Sequence, residues 1–131
     1  MLDRGTRERL LAVDDSADSA DLVARVAAKC GYDAQATSDP TSVRALVASW
    51  KPEILTLDLC MPEADGIDLL AVLEETRFTG LLVIISGQDG WFRKAASRLA
   101  ETRGLKVVDD LQKPVDIGAL RQLLSRLRRS E

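Results

Sequence analysis

"ILTLDLCMPEADG", residues 54–66, begins as an apolar strand and changes character at one position. Ile54, Leu55 and Leu57 form a run suited to a core, yet Asp58 follows, and then a turn signal at Met61-Pro62 with Gly66 just beyond. Desolvating an unpaired carboxylate is costly, so water, a cation or a hydrogen-bond donor has to reach Asp58. What stands at the ends of the other strands decides which of these it is.

Outward from this stretch, short β-type runs alternate with amphipathic helical ones. Upstream, "RLLAV" (9–13) reads as a strand, and Ser16 to Cys30 as a helix with a stripe of Leu22, Val23, Val26, Ala27 and Cys30 that Gly31 ends. "YDAQA" (32–36) alternates like a half-buried or edge strand. Asp39-Pro40 is a helix cap followed by proline at the first helical position, with Val43, Leu46, Val47 and Trp50 behind it and Pro52 closing the helix.

Downstream come a helix from about Ile67 to Glu75, the strand "LLVIIS" (81–86), and a helix from about Asp89 to Thr102 on Trp91, Ala95 and Leu99. Gly104 ends that helix, and a short apolar run near Leu105–Val108 precedes "LQKP" (111–114). The last helix starts at the Asp116 cap and carries Ile117, Leu120, Leu124 and Leu127. Strict alternation of five strands with five helices predicts an α/β fold, a doubly wound parallel sheet with helices on both faces. No repeat, linker or low-complexity segment interrupts it, so one domain is expected over 1–131, with its core at about 9–127.

The bulk numbers agree with a globular domain. The chain of 131 residues is 46% hydrophobic and 30% charged, with a formal net charge of −3 that gives no basic footprint for nucleic acid. Histidine is absent, which excludes His-dependent triads and His-ligated metals. The longest apolar run, Leu81 to Ile85, is too short to span a membrane, and "MLDRGTRER" is no signal peptide. Cys30 and Cys60 lie far apart without CxxC spacing and read as free thiols, so a cytoplasmic protein is expected.

In a doubly wound sheet, ligands bind beyond the carboxyl ends of the strands. Those ends carry Asp14 and Asp15, then Asp58, then Ser86-Gly87, then Lys113-Pro114. Two like charges about 4 Å apart repel by about 4 kcal/mol at an effective dielectric near 20, so three carboxylates together need protons or cations. Lys113 offsets one negative charge, and a divalent ion would neutralise the rest. All-oxygen ligands point to Mg²⁺. A carboxylate held beside a metal, a hydroxyl and a lysine can accept a phosphoryl group covalently. Asp58 is the best candidate for that acceptor, held exposed at the end of a buried strand.

With these residues in place, "VDDS" (13–16), "LDLCMPEADG" (57–66), "IISG" (84–87) and "LQKP" (111–114) together resemble the receiver domain of bacterial two-component response regulators. The resemblance runs from about Arg9 to Leu127 and implies a flavodoxin-like fold with strand order 2-1-3-4-5. It implies that Asp58 is phosphorylated from the phosphohistidine of a histidine kinase or phosphotransfer protein. By the same resemblance Asp15 and Asp58 ligate Mg²⁺ directly, Asp14 acts mainly through water, and the Cys60 backbone carbonyl is a further ligand. Ser86 and Lys113 would hold the phosphoryl group, and the Lys113–Pro114 bond would be cis.

Two features depart from the family pattern. Asp110 stands where receivers usually carry a tyrosine or phenylalanine, three residues before the lysine, and the stretch from Ser86 to Lys113 is longer than in compact members. That long stretch looks most like receivers attached to cyclic-di-GMP phosphodiesterase domains. The implied protein is a stand-alone regulator that catalyses only its own phosphorylation and dephosphorylation and acts on an unidentified protein target, with no membrane or direct nucleic-acid role. The alternatives are an adaptor that uses the Trp91/Asp110 face without phosphorylation, a phosphorelay intermediate and, more distantly, a small-substrate phosphohydrolase. Trp91 and Phe92 mark either a partner surface or the core stripe and its edge. Arg121, Arg126, Arg128 and Arg129 read as a solvated face complementing the negative end of the last helix.

Overall fold

The computed structural model describes residues 7–58, 65–87 and 90–128, the side chains of 65–67 and 91–92 excepted. The elements are β1 (Arg9–Val13), α1 (Ala17–Lys29), β2 (Asp33–Thr37), α2 (Pro40–Ser49), β3 (Ile54–Asp58), α3 (Asp65–Glu75), β4 (Leu81–Ser86), α4 (Gly90–Thr102), β5 (Lys106–Gln112) and α5 (Ile117–Leu127). The five strands form one sheet in the order β2-β1-β3-β4-β5, and every pairing is parallel. The doubly wound α/β reading and its strand order therefore hold.

Side-chain alternation along the strands splits the core into two layers. Leu11, Val13, Leu55, Leu57, Leu82 and Ile84 pack under α2, α3 and α4, where they meet residues such as Val43, Leu70 and Ala100. Leu10, Ala12, Ile54, Val83 and Ile85 point the other way, to α1 and α5, against Val23, Ala27 and Leu120. β3 is buried at every position because helices cover both of its faces, which makes it a rigid mount for its last residue.

Local chemistry sets the helix ends as the sequence indicates. Ser16 Oγ accepts from the Ser19 amide, Asp39 from Thr41 and Asp116 from Gly118 and Ala119, each in extended backbone ahead of its helix. Gly31 follows α1 at φ +100, a conformation that a Cβ disfavours. Gly80 is needed for a different reason. A Cβ there would collide with the Glu53 carbonyl, which accepts from the Leu81 amide at 2.8 Å where β3 and β4 begin to pair.

Three expectations are corrected. Leu22 is 41% exposed, because α1 is seated through Ala20, Val23, Val26 and Ala27. Among the described residues of α4 the buried positions are Ala96 and Ala100, with Ala95 exposed and Leu99 half-buried. β5 reaches Gln112, past its apolar run, and carries a bulge: Leu82 pairs with Val107 and Val83 with Asp109, which leaves Val108 as the extra residue.

Tyr32, between α1 and β2, ties that part of the chain to α5. Its ring is buried and its hydroxyl donates to the Leu124 carbonyl at 2.8 Å. Burial, aided by Glu8, raises the phenol above its usual range, so its contribution to stability is full below pH 10 and is lost as pH rises beyond it. Tyr32→Phe is expected to cost about 1 kcal/mol at pH 7, read from urea unfolding. An unchanged midpoint would mean that water replaces the hydroxyl at no cost.

Candidate functional site

The carboxyl ends of β1, β3, β4 and β5 bring four of the sequence-identified groups together. Lys113, just past β5, reaches back so that its Nζ lies 2.9 Å from Asp14 Oδ2 and 3.0 Å from Asp58 Oδ2. Asp14 Oδ1 accepts the Ser16 amide at 2.9 Å, which ties the β1 end to the start of α1. Ser86 is fully buried at the β4 end, and its carbonyl accepts the Lys113 amide at 2.9 Å. The lysine is therefore held at both its backbone and its ammonium. The Lys113–Pro114 peptide is cis, in agreement with the resemblance.

One expectation about Asp58 is corrected here. Its residue is 1% exposed rather than open to solvent: it pairs with Ile85 of β4, stands close to Asp14 just past the end of β1 and is met by the Lys113 ammonium. Asp15 is the exposed member of the acidic group, and Asp14 is buried. One carboxylate oxygen from each of Asp14, Asp15 and Asp58 lies within 4.8 Å of the others. Such a set offers only oxygen donors and an excess of negative charge over the single lysine. It therefore fits a hard divalent cation of the Mg²⁺ kind better than a softer metal. Cys60 lies outside the described residues, as do the side chains of Trp91 and Phe92.

The charges support one another. Burial acts to raise the Asp14 carboxyl, but the Ser16 amide and the Lys113 ammonium outweigh it and hold the group below the usual carboxylate range. Burial likewise acts to lower Lys113, and its bonds to Asp14 and Asp58 reverse that and raise it. The lysine is a fixed cation across neutral pH.

Two features escaped the sequence reading. An open groove of 430 Å³ leads away from Asp14 and Lys113 between α1 and α5, past Leu22, Val115 and Ile117. Second, Asp110 is paired: Arg93 Nε on α4 donates to Asp110 Oδ1 at 3.1 Å. Periodicity could have placed Arg93 in the first turn of α4, but no local pattern links it to a strand residue 17 positions on.

Comparison with known proteins places this geometry in a family. The profile of the response regulator receiver domain matches residues 10–125. A protein-glutamate methylesterase/protein-glutamine glutaminase of Anaeromyxobacter dehalogenans is 34% identical over 126 residues, which is 92% of this chain and 35% of that protein. The DNA-binding response regulator MtrA of Mycolicibacterium paratuberculosis is 30% identical over 83 residues, 63% of this chain and 37% of that one. The chain thus spans little more than a third of these relatives. Among solved structures, a response regulator from Colwellia psychrerythraea superposes with a TM-score of 0.83 at 29% identity, covering 93% of this chain and 97% of that one. A Burkholderia pseudomallei response regulator with a phosphorylated aspartic acid and a calcium ion shares the fold at a TM-score of 0.72 and 22% identity, over 89% of this chain and 66% of that one. Lys113 closing over Asp14 and Asp58 at the carboxyl edge of a β2-β1-β3-β4-β5 sheet and the family match across residues 10–125 agree, and this chain belongs to the response regulator receiver domains.

Proposed function

We propose that this domain accepts a phosphoryl group on Asp58 from the phosphohistidine of a kinase or phosphotransfer protein, and that the change switches a protein–protein contact. The observation that carries the proposal is the Lys113 ammonium bridging Asp14 and Asp58 at the end of a strand buried on both faces. An Asp58 oxygen attacks phosphorus while the P–N bond of the donor breaks, and the imidazole leaves with that electron pair. Lys113 stays protonated throughout and is placed to offset the negative charge that builds on the phosphoryl oxygens. The Ser86 hydroxyl, at the adjacent strand end, is the second donor for those oxygens. Bound among Asp14, Asp15 and Asp58, Mg²⁺ would add positive charge to the same oxygens. The domain turns over only its own phosphoryl group.

The modified side chain carries a charge of about −1.5 to −2 in place of −1, which is the physical input to the switch. The groove between α1 and α5 opens beside Lys113 and is apolar along Leu22, Val115 and Ile117, which suits the helix that carries a donor histidine. Leu22→Asp is expected to slow transfer from a phosphorylated histidine phosphotransfer protein. Equal rates would reject this route of approach.

The reading is tested by intact-mass spectrometry after incubation with acetyl phosphate, with and without Mg²⁺, beside Asp58→Asn. The expected result is one phosphoryl adduct that requires Mg²⁺ and is absent from the variant. No adduct under conditions that label a control receiver would overturn the proposal and favour an adaptor that works without phosphorylation.

A further inference from the structure

Asp110 occupies β5 three residues before Lys113, and in the sheet it pairs with Ile84, two residues before Ser86. Its carboxylate meets Arg93, which lies in the first turn of α4, the helix that follows Ser86. The ion pair therefore ties the helix after one phosphoryl-binding residue to the strand before the other. The link is short on both sides. Ser86 and Lys113 are themselves joined through the Ser86 carbonyl and the Lys113 amide.

The position of this pair distinguishes it from the other ion pairs outside the site. Its side chains are 17% and 30% exposed, against 55% and 60% for Arg44–Glu75. Arg103–Glu74 is intermediate and joins α3 to the turn after α4. Screening by water and salt is weakest where the charges are least exposed, so of these three pairs among the described residues Arg93–Asp110 is the least screened. Among the described residues of α4, Ala96 and Ala100 are buried against the sheet and Leu99 is half-buried.

We propose that Arg93 and Asp110 form a charge clamp that sets the resting position of α4 against β5, and that phosphorylation of Asp58 acts against this clamp. The proposal rests on the receiver chemistry argued above. Drawing Ser86 and Lys113 toward phosphoryl oxygens shifts the backbone on both sides of the clamp, so the resting and phosphorylated states differ in how well the pair fits. A ligand shifts such an equilibrium only by its differential interaction with the two states, and the clamp supplies that difference at α4. Asp110 is thus a positioning residue, which acts through Arg93 and the helix rather than on the phosphoryl group.

The test uses the full chain and four proteins: wild type, Asp110→Asn, Arg93→Gln and the reciprocal swap Arg93→Asp with Asp110→Arg. Hydrogen exchange is followed at the amides of residues 90–102, and labelling by acetyl phosphate with Mg²⁺ by intact mass. Each single variant is expected to exchange faster at α4 and to label faster by about two- to fivefold, the range a partly exposed pair supports. The swap is expected to return both towards wild type, which separates a charge clamp from loss of packing or misfolding. Wild-type exchange and labelling in both single variants, or a swap that restores neither, would overturn the proposal. If wild type takes no phosphoryl group, the receiver chemistry fails and the clamp's coupling to phosphorylation falls with it, and the resting clamp is decided on exchange alone: faster in the single variants and restored in the swap upholds it, and no change rejects it.

Discussion

Lys113→Met, measured in metal-free buffer, is expected to lower the unfolding free energy by about 2–3 kcal/mol at pH 8 and by much less near pH 4. Methionine keeps the length of the lysine stem and removes only the ammonium, so Asp14 and Asp58 lose a partner at 2.9 and 3.0 Å. Removing one member of a fully buried pair costs about 3–5 kcal/mol, and the lower figure here follows from a lysine side chain that is a quarter exposed. The pH window comes from the two shifted groups. Asp14 is held below its ordinary value of 3.8, so its contribution is present above that value and is lost as pH falls through the folded one. Lys113 is held above 10.5, so its contribution is full below that value and is lost only as pH rises through the folded one. Between these limits wild type is on a plateau. In the variant, protonation relieves the repulsion between two carboxylates that have lost the shared ammonium, so acid restores stability to it while wild type stays on its plateau down to about the ordinary Asp14 value of 3.8. The two curves therefore converge as pH falls. Urea unfolding at pH 4, 6 and 8 checks this. An equal deficit at pH 4 and pH 8 would assign the loss to packing of the lysine stem and leave the ion pairs without a measurable role.

The legible part of this domain was the part fixed by local chemistry. β3 and β4 stood out because strands covered on both faces have to be apolar throughout, and Asp58 stood out because it ends such a run. The caps at Ser16, Asp39 and Asp116 stood out because a side chain serves amides two or three residues away. Once strand ends were located, the parallel fold alone carried Asp14, Asp58, Ser86 and Lys113 to one edge. What stayed hidden was set by contacts distant in sequence. β5 is an edge strand with no fully buried position, so Asp109 and Asp110 broke its apolar pattern and obscured its length. Leu22 and Ala95 fit helical stripes by period, but the helices bury their neighbours Val23 and Ala96 and leave these two exposed. The ammonium that meets Asp58 belongs to Lys113, 55 residues away, and no local signal carries that.

Adding Mg²⁺ to the unphosphorylated domain is expected to raise its melting temperature by roughly 10 °C at about 100 times the dissociation constant, a linkage of about 2.7 kcal/mol. Asp15→Asn is expected to remove most of that rise. The reason lies in how the three carboxylates are engaged. Asp14 gives one oxygen to the Ser16 amide and the other to Lys113, so it reaches a cation most easily through water. Asp58 already shares Oδ2 with Lys113. Asp15 is exposed at the rim, and its carboxylate can turn toward an incoming ion without giving up a bond to the lysine. Its conversion to an amide removes the most available charge while leaving the Lys113 pairs intact, so the metal-free melting temperature should hold steady or rise as repulsion falls. Thermal unfolding with increasing MgCl₂, beside NaCl at matched ionic strength, separates site binding from general screening. A rise that persists in Asp15→Asn, or that NaCl reproduces, would show that the cation acts on the domain's overall charge and would remove Asp15 from the ligand set.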